Sequence, residues 1–309
     1  MLRRQLIQLF FWTVPFAALV ACSGSRPGQA PIPENYEDEV AEWKANRVAS
    51  LSAPTGWLRL AGMFILEEGE NTFGSGPEAD IVFPDSTLPP VAGVFDHSGK
   101  QVQMIAREGV TLYVEEEPVD DMLIYYEEME TVPHITYNQL EWLVIARQDL
   151  KAIRLYNKQN EKADRFTGFP HFEIDPVWRR EARFIPHPEG TTIPIANVLG
   201  QVEEYPSPGR LEFTIGDVLY TLDALEGSER LFIIVGDQTN GEETYGAGRY
   251  IYIDYPEQED QMTILDFNLA YNPPCAFNTF TTCQLPPPQN RLDVPILAGE
   301  KIPVEWSGL

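Results

Sequence analysis

"EGENTFGSGPEADIVFPDSTLPPVAGVFDHSGKQVQMI", Glu68 to Ile105, consists of short apolar or alternating runs cut by Gly, Pro, Asp and Asn. Alternation with a period of two marks a strand with one buried face, and the breakers mark the turns between strands. The same rhythm runs onward from Gly56. It predicts strands over residues 57–65, 81–83, 101–106, 111–114, 123–126, 140–146 and 152–156. A segment rich in Pro and aromatics follows near 165–179. Further strands are predicted over 182–185, 191–198, 201–205, 211–215, 218–222, 231–235, 250–253 and 262–266. Many short strands at this spacing specify a mainly β protein of antiparallel sandwiches or barrels. Without residues 1–21 the chain has 288 residues, large for a single β domain. Two packed antiparallel units are therefore expected, a sandwich followed by a sandwich or barrel, with the boundary near 160–180.

One helix precedes the strands, predicted from Tyr36 to Leu51. Asn35 stands at its cap position, acids crowd its first turn, and Val40, Trp43, Arg47 and Leu51 recur at helical spacing. Trp43 reads as a packing residue. The first unit thus spans helix and sandwich over 35–165, and the second 166–309.

The N-terminal end reads as a targeting segment. Arg3 and Arg4 form a charged start, and Leu9 to Ala21 is a mostly apolar run of thirteen. That is short of the roughly 20 residues needed to span a bilayer, and Pro15 interrupts it. Leu19-Val20-Ala21-Cys22 resembles the bacterial lipobox. The resemblance implies a signal peptide over 1–21, cleavage before Cys22 and acylation of its thiol with palmitate-like chains. Two or three such chains hold a protein stably on a membrane. Ser23 is not the Asp that retains many lipoproteins at an inner membrane, so an outer-membrane anchor facing the periplasm is expected. Residues 22–34 then form a polar tether.

If Cys22 carries lipid, Cys275 and Cys283 remain as an even pair in an oxidising compartment. A disulfide between them is expected. The alternative, a nucleophilic Cys275, needs a free thiol. Losing residues 1–21 removes two arginines and no acids, which takes the formal charge from −25 to −27. A surface this acidic repels nucleic acid and anionic headgroups.

Candidate chemistry gathers in the second half. "FIIVGDQTNGEETYGAGRYIYID" has a strand ending at Asp237. Then come Thr239, Glu243, Thr244, Tyr245 and Arg249, with Asn240-Gly241 signalling a tight hairpin-type turn. "ILDFNLAYNPPCAFNTFTTCQLPPPQNRL" repeats the logic: a strand ends at Asp266, then Asn268, Tyr271 and Asn272 follow, with Arg291 near its end. Carboxylates at strand ends sit at the rim of a core, where pKa values shift. Asp266 with Asp237 or Glu243 would make a general acid/base pair, or help to ligate Ca²⁺. The structural alternative is equally specific. Arg249 and Arg291 would neutralise the acids, and Asp, Asn and Thr at strand ends would satisfy turn backbone. His97, His134, His171 and His187 lack metal-site spacing. Tyr245–Tyr250 holds only a lone G-x-G, between strands. No cofactor is expected.

Two resemblances bear on this. Glu68–Pro84 with the hairpin that follows resembles the opening of a forkhead-associated β-sandwich. Ser75 stands where that fold usually carries its phosphate-reading arginine, so a shared scaffold is implied rather than phosphopeptide reading. More extensively, "GWLRLAGMFILEEGENTFGS", "FTGFPHFEIDPVWRREARF", "GDQTNGEETYGAGRYIYID" and "LDFNLAYNPPCAFNTFTTCQLPPPQNRLDVPILAGEK" resemble, in order, a bacterial family catalogued as domain of unknown function 1684. The likeness runs from about Trp43 to Lys301, and Gln284 stands where the family more often has Pro. It implies an exported or lipid-anchored β protein and supplies no reaction. Three readings follow. The first is a cell-envelope binding module for a small polar ligand, a sugar or an envelope partner. The second is a hydrolase using the paired carboxylates, and the third a structural envelope protein.

Overall fold

Alternate residues of the opening stretch turn inward as a period of two requires. Phe73, Phe95, Val102 and Met104 are fully buried, while Glu70, Gln101 and Ile105 face outward. The computed structural model describes residues 28–147, 150–256 and 261–303. The expected signal segment, Cys22 and the expected tether up to residue 27 lie outside the described residues.

The first unit has eleven strands: β1 (Leu60–Ile65), β2 (Gly69–Gly74), β3 (Ile81–Val82), β4 (Gly93–Ser98), β5 (Gln101–Ala106), β6 (Leu112–Val114), β7 (Glu117–Val119), β8 (Asp121–Tyr126), β9 (Ile135–Tyr137), β10 (Leu140–Arg147) and β11 (Leu150–Asn157). They form one sheet in the order β3-β2-β4-β5-β8 and another in the order β1-β11-β10-β9-β6-β7. Among the described strand pairings of this unit, β2–β3 is parallel and the others are antiparallel. Phe73 and Phe95 stack at 4.3 Å between ring centroids, and Phe73, Phe83 and Trp142 close the aromatic centre of the core. Strands β2, β4, β7 and β9 were not among the predicted runs. β2 reads "GENTFG", and only Asn71, Phe73 and Gly74 turn inward. Residues 57–59, expected as strand, form a 3₁₀ turn (Trp57–Arg59) instead. Buried Arg59 pins it, donating to the carbonyls of Ser52 and Asn160 and to Asp164 at 2.6 Å.

Helix α1 (Tyr36–Ser52) follows its expected bounds within a residue. Asn35 occupies the cap position without a side-chain bond to the helix. Glu37, Asp38 and Glu39 instead favour the positive end of the helix dipole. The chain leaves the sandwich through a short helix, α2 (Glu161–Arg165), and residues 166–178.

The second unit adds β12 (Arg179–Pro186), β13 (Thr192–Ala196), β14 (Val202–Pro206), β15 (Gly209–Ile215), β16 (Val218–Ala224), β17 (Leu231–Val235), β18 (Arg249–Ile253) and β19 (Met262–Asp266). Four strands form a sheet ordered β16-β15-β12-β19, with β13–β14 and β17–β18 as separate pairs. Leu211, Phe213, Leu231, Ile251, Leu265 and Phe267 belong to one core. Among the described residues no ladder closes into a barrel, and no helix is long and apolar enough to cross a membrane.

Two elements join the units. Helix α1 reaches the second unit through Tyr36, whose hydroxyl donates to Asp266 at 2.7 Å, and through Arg47, which is ion-paired with Glu300. The loop closed by the Cys275–Cys283 disulfide reaches back to the sandwich. Asn278 donates to the carbonyls of Trp57 and Leu60, Arg147 donates to Thr282, and Phe277 packs with Leu51 and Phe169.

Candidate functional site

Asp237 ends a buried strand, and its polar surroundings come from its own loop. Oδ1 accepts from the Thr239 amide (2.8 Å), the Thr239 hydroxyl (2.6 Å) and the Ile296 amide (3.2 Å). Oδ2 accepts from Arg249 at 2.8 Å, and neither side chain of this pair is exposed. Arg249 also donates to the carbonyls of Ile296 and Ala298. Burial pushes its pKa down, and the Asp237 carboxylate opposes that shift. Thr244 bonds Thr239 and Asn240 and is wholly buried.

The expected two-residue hairpin at Asn240-Gly241 is instead part of a loop over 236–248, wound around Asp237. Gly248, the second glycine of the lone G-x-G, has φ +88°, and a Cβ there would sit 2.5 Å from Pro286 Cγ. Backbone geometry and packing account for that motif.

Asp266 is likewise enclosed. It accepts from the Tyr36 hydroxyl and from both the amide (3.0 Å) and side chain (3.1 Å) of Asn268, with Arg179 at 3.7 Å. Burial holds its pKa above the usual carboxylate value, against those donors. Asp266 lines a cavity of about 320 Å³ beside Trp43, Arg179 and Arg230, a cavity to which Asp237 does not contribute. Glu243 is exposed and lies 3.8 Å from Lys301. The three carboxylates are thus in separate settings: Asp237 is enclosed with Arg249, Asp266 with Tyr36 and Asn268, and Glu243 is at the surface. Among the described residues no three His, Cys, Asp or Glu side chains converge on a point. Thr239, Thr244, Arg249 and Asn268 serve internal hydrogen bonds. Tyr245 donates to the Cys275 carbonyl at 3.2 Å, and Arg291 is exposed beside Gly236.

Half-buried Tyr271 borders open space, with the fully buried Asn272 behind it. They line a cleft of about 450 Å³ between the two units, within the range typical of small-ligand sites. Its floor and one wall are aromatic. Tyr271 packs on Tyr250 (5.9 Å) and Tyr252 (6.2 Å), and Trp57 and Phe232 complete the lining. Burial holds the Tyr250 and Tyr271 hydroxyls well above their ordinary pKa, so both rings stay neutral. The polar side comes from Arg47 of α1, Arg147 of β10 and Arg154 of β11, together with Ser50, Thr282 and Gln284.

These cations differ in how they are compensated. Arg47 is bidentate to Glu300, donates to the Asn272 carbonyl at 2.9 Å and lies 4.4 Å over the Tyr271 ring. Arg147 donates to the Thr282 hydroxyl at 2.6 Å, and Arg154 lies 5.1 Å over Trp57 with its Nε buried and unbonded. Among the described residues neither Arg147 nor Arg154 has a carboxylate partner, and no Asp or Glu lines the cleft.

The sequence reading placed Tyr271, Asn272 and the disulfide loop at a site, and missed the three arginines. In the sequence Arg47 stands out only by its helical spacing. Arg154 carried one further signal: it ends a run of alternate residues, Leu150, Ala152, Arg154, that share one face of a strand. Gln284, the position at which this chain departs from its resemblance, also lines the cleft. Its carbonyl accepts from Tyr250 at 2.8 Å, and its side chain donates to Tyr205 at 2.8 Å.

Residues 164–301 match the model of a family described as a protein of unknown function, DUF1684. An uncharacterised protein of Haloarcula marismortui, solved by NMR, is 31% identical over 46% of this chain and 80% of its own, with a TM-score of 0.38. The FhaA FHA domain, crystallised with the intracellular domain of Rv3910, is 14% identical over 30% of this chain and 96% of its own. Its TM-score is 0.19. No curated protein matches the chain.

Proposed function

The chain belongs to the family described as protein of unknown function DUF1684, and from that premise we propose that it is a binding module for small organic anions, held in the cleft between its two β units. One observation carries the reading. In a chain of 47 acids and 22 lysines and arginines, this cleft is lined by three arginines and no acid. Arg47 is already matched by Glu300, whereas exposed Arg147 and half-buried Arg154, whose Nε is buried and unbonded, have no carboxylate partner among the described residues, so an anion with two acceptor oxygens gains charge-assisted bonds there. The acidic exterior repels bulk anions, so it works against capture kinetics. Affinity therefore has to come from contacts inside the cleft. The neutral tyrosines supply flat apolar surface for the rest of the ligand.

Thermal unfolding tests this reading. Sodium benzoate and inorganic phosphate will raise the melting temperature of the wild-type protein in a concentration-dependent way. Arg154→Gln will lose that response while melting normally without ligand. Stabilisation by glucose and not by the anions would point to a neutral sugar and overturn the assignment.

The module is further proposed to be an envelope lipoprotein, anchored through Cys22 and facing the periplasm, on the strength of the Leu19–Cys22 sequence. Metabolic labelling with an alkyne-tagged fatty acid will mark the wild-type protein and leave Cys22→Ser unmarked. Equal labelling of both would remove the anchor.

A further inference from the structure

The outer face of a sandwich sheet is ordinarily polar where it meets water. Across β1, β11 and β10 it is not. The register places Ile65 opposite Ala152 and Ala152 opposite Ile145, giving an apolar row across three strands. The next row brings Met63 opposite Arg154, and on the other side Leu150 pairs with Arg147. Ile65 is 54% exposed and Leu150 43% exposed, and Leu199 from the turn after β13 stands over them at 65%. Together they form a shallow apolar groove. Among the described residues its single acid, Glu203, accepts a hydrogen bond from Tyr205 at 3.1 Å.

The groove is continuous with the anion cleft. Met63, Arg147 and Thr282 line both, and Arg147, donating to Thr282, stands at the junction. A charged end and an apolar end that share one doorway describe the two halves of a single ligand.

We infer that the ligand is an amphiphilic carboxylate. Its head is held by Arg154 and Arg147 in the cleft, and its alkyl chain runs past Met63 into the groove between Ile65, Ile145 and Leu199. The inference rests on the anion reading of the cleft and adds the chain. The groove commits to this occupant because the cations flank its apolar row and because it opens from the cleft. A neutral headgroup would offer neither guanidinium a counter-charge.

Calorimetric titration distinguishes the parts, using the full chain with Cys22→Ser so that no attached lipid competes. Each buried methylene is worth about a fourfold gain in affinity. With three methylenes covered, octanoate will bind roughly 60-fold more tightly than acetate. Octyl glucoside, with the same chain and a neutral head, will bind far more weakly than octanoate. Leu199→Asn, which adds no charge beside Arg147, will cut the octanoate advantage, while acetate, which has no chain to place in the groove, keeps its affinity. Arg154→Gln will weaken acetate and octanoate alike.

Equal affinity for acetate and octanoate would overturn the chain and leave the anion cleft standing. Binding of octyl glucoside as tight as octanoate would overturn the amphiphilic carboxylate by removing its head. Absence of binding by acetate, phosphate and octanoate would overturn the anion cleft itself.

Discussion

Arg249→Met will destabilise the protein by about 3–5 kcal/mol, read from urea unfolding at pH 7 and 25 °C. The pair it breaks with Asp237 has no exposure on either side. The substitution leaves a carboxylate in the core with two amide donors and one hydroxyl but no cation, and it also frees the carbonyls of Ile296 and Ala298. A buried unpaired charge costs far more than the lost attraction, because its solvation is not recovered. The companion variant makes the test sharp. Arg249→Met with Asp237→Leu removes both charges and will recover much of the loss, since a buried pair replaced by apolar volume is often near neutral. A single-variant loss below about 1 kcal/mol, by the same measure, would mean that water reaches Asp237 and that the loop over 236–248 is open. The loss will appear without ligand and will leave anion binding by the folded fraction intact, because neither residue lines the cleft.

That contrast shows why part of the site was legible in the sequence and part was not. Asp237, Asp266 and Asn268 attract notice because strand ends followed by polar residues are where sites are commonly built. The same positions are where a chain needs side chains to satisfy its turns, and here that need takes all three. Sequence separates the two uses poorly, because both require acids and amides beside an apolar run.

The cleft is the opposite case. Arg47, Arg154 and Tyr271 lie on a helix, a sandwich strand and a C-terminal loop, so their convergence depends on how two units dock. The disulfide was legible because pairing depends on cysteine parity and compartment. What the loop does was not, since Asn278 bonding to Trp57 and Leu60 bridges more than 200 residues of sequence. Strands such as β5, β17 and β19 keep their predicted bounds because breakers flank a clean apolar or alternating run. β2 and β4 escaped because β2 is largely polar and β4 carries the buried polar His97.

Acid will weaken the fold through His171, and His171→Gln will remove that sensitivity. The ring lies in the segment joining the units, packs edge-on against Trp43 at 6.4 Å, and lines a cavity of about 160 Å³ with Lys44, Arg47 and Glu300. Its Nδ1 is buried without a hydrogen-bond partner. Burial first, then the charges of Lys44 and Arg47, hold its pKa down at about 3, against an ordinary 6.5. The sign follows from the protons each state holds. Between pH 6.5 and 3 the unfolded chain binds a proton at this histidine and the folded chain does not, so stability is full above 6.5 and falls as the pH drops. The slope approaches about 1.4 kcal/mol per pH unit, and solvent at the ring's exposed edge trims it. Asp266 works in the other direction. Its raised pKa means that the folded chain takes up that proton first, which favours the fold as the pH falls. Total stability against pH therefore mixes opposed contributions, whereas the difference between wild type and His171→Gln isolates the histidine. The two proteins will unfold within about 1 kcal/mol of each other at pH 7.5, and at pH 4 the variant will be the more stable by about 2–3 kcal/mol. Parallel stability curves from pH 7.5 to 4 would show that the imidazolium is accommodated in the fold. In that case the Glu300 carboxylate, rather than Lys44 and Arg47, would set the potential at the ring.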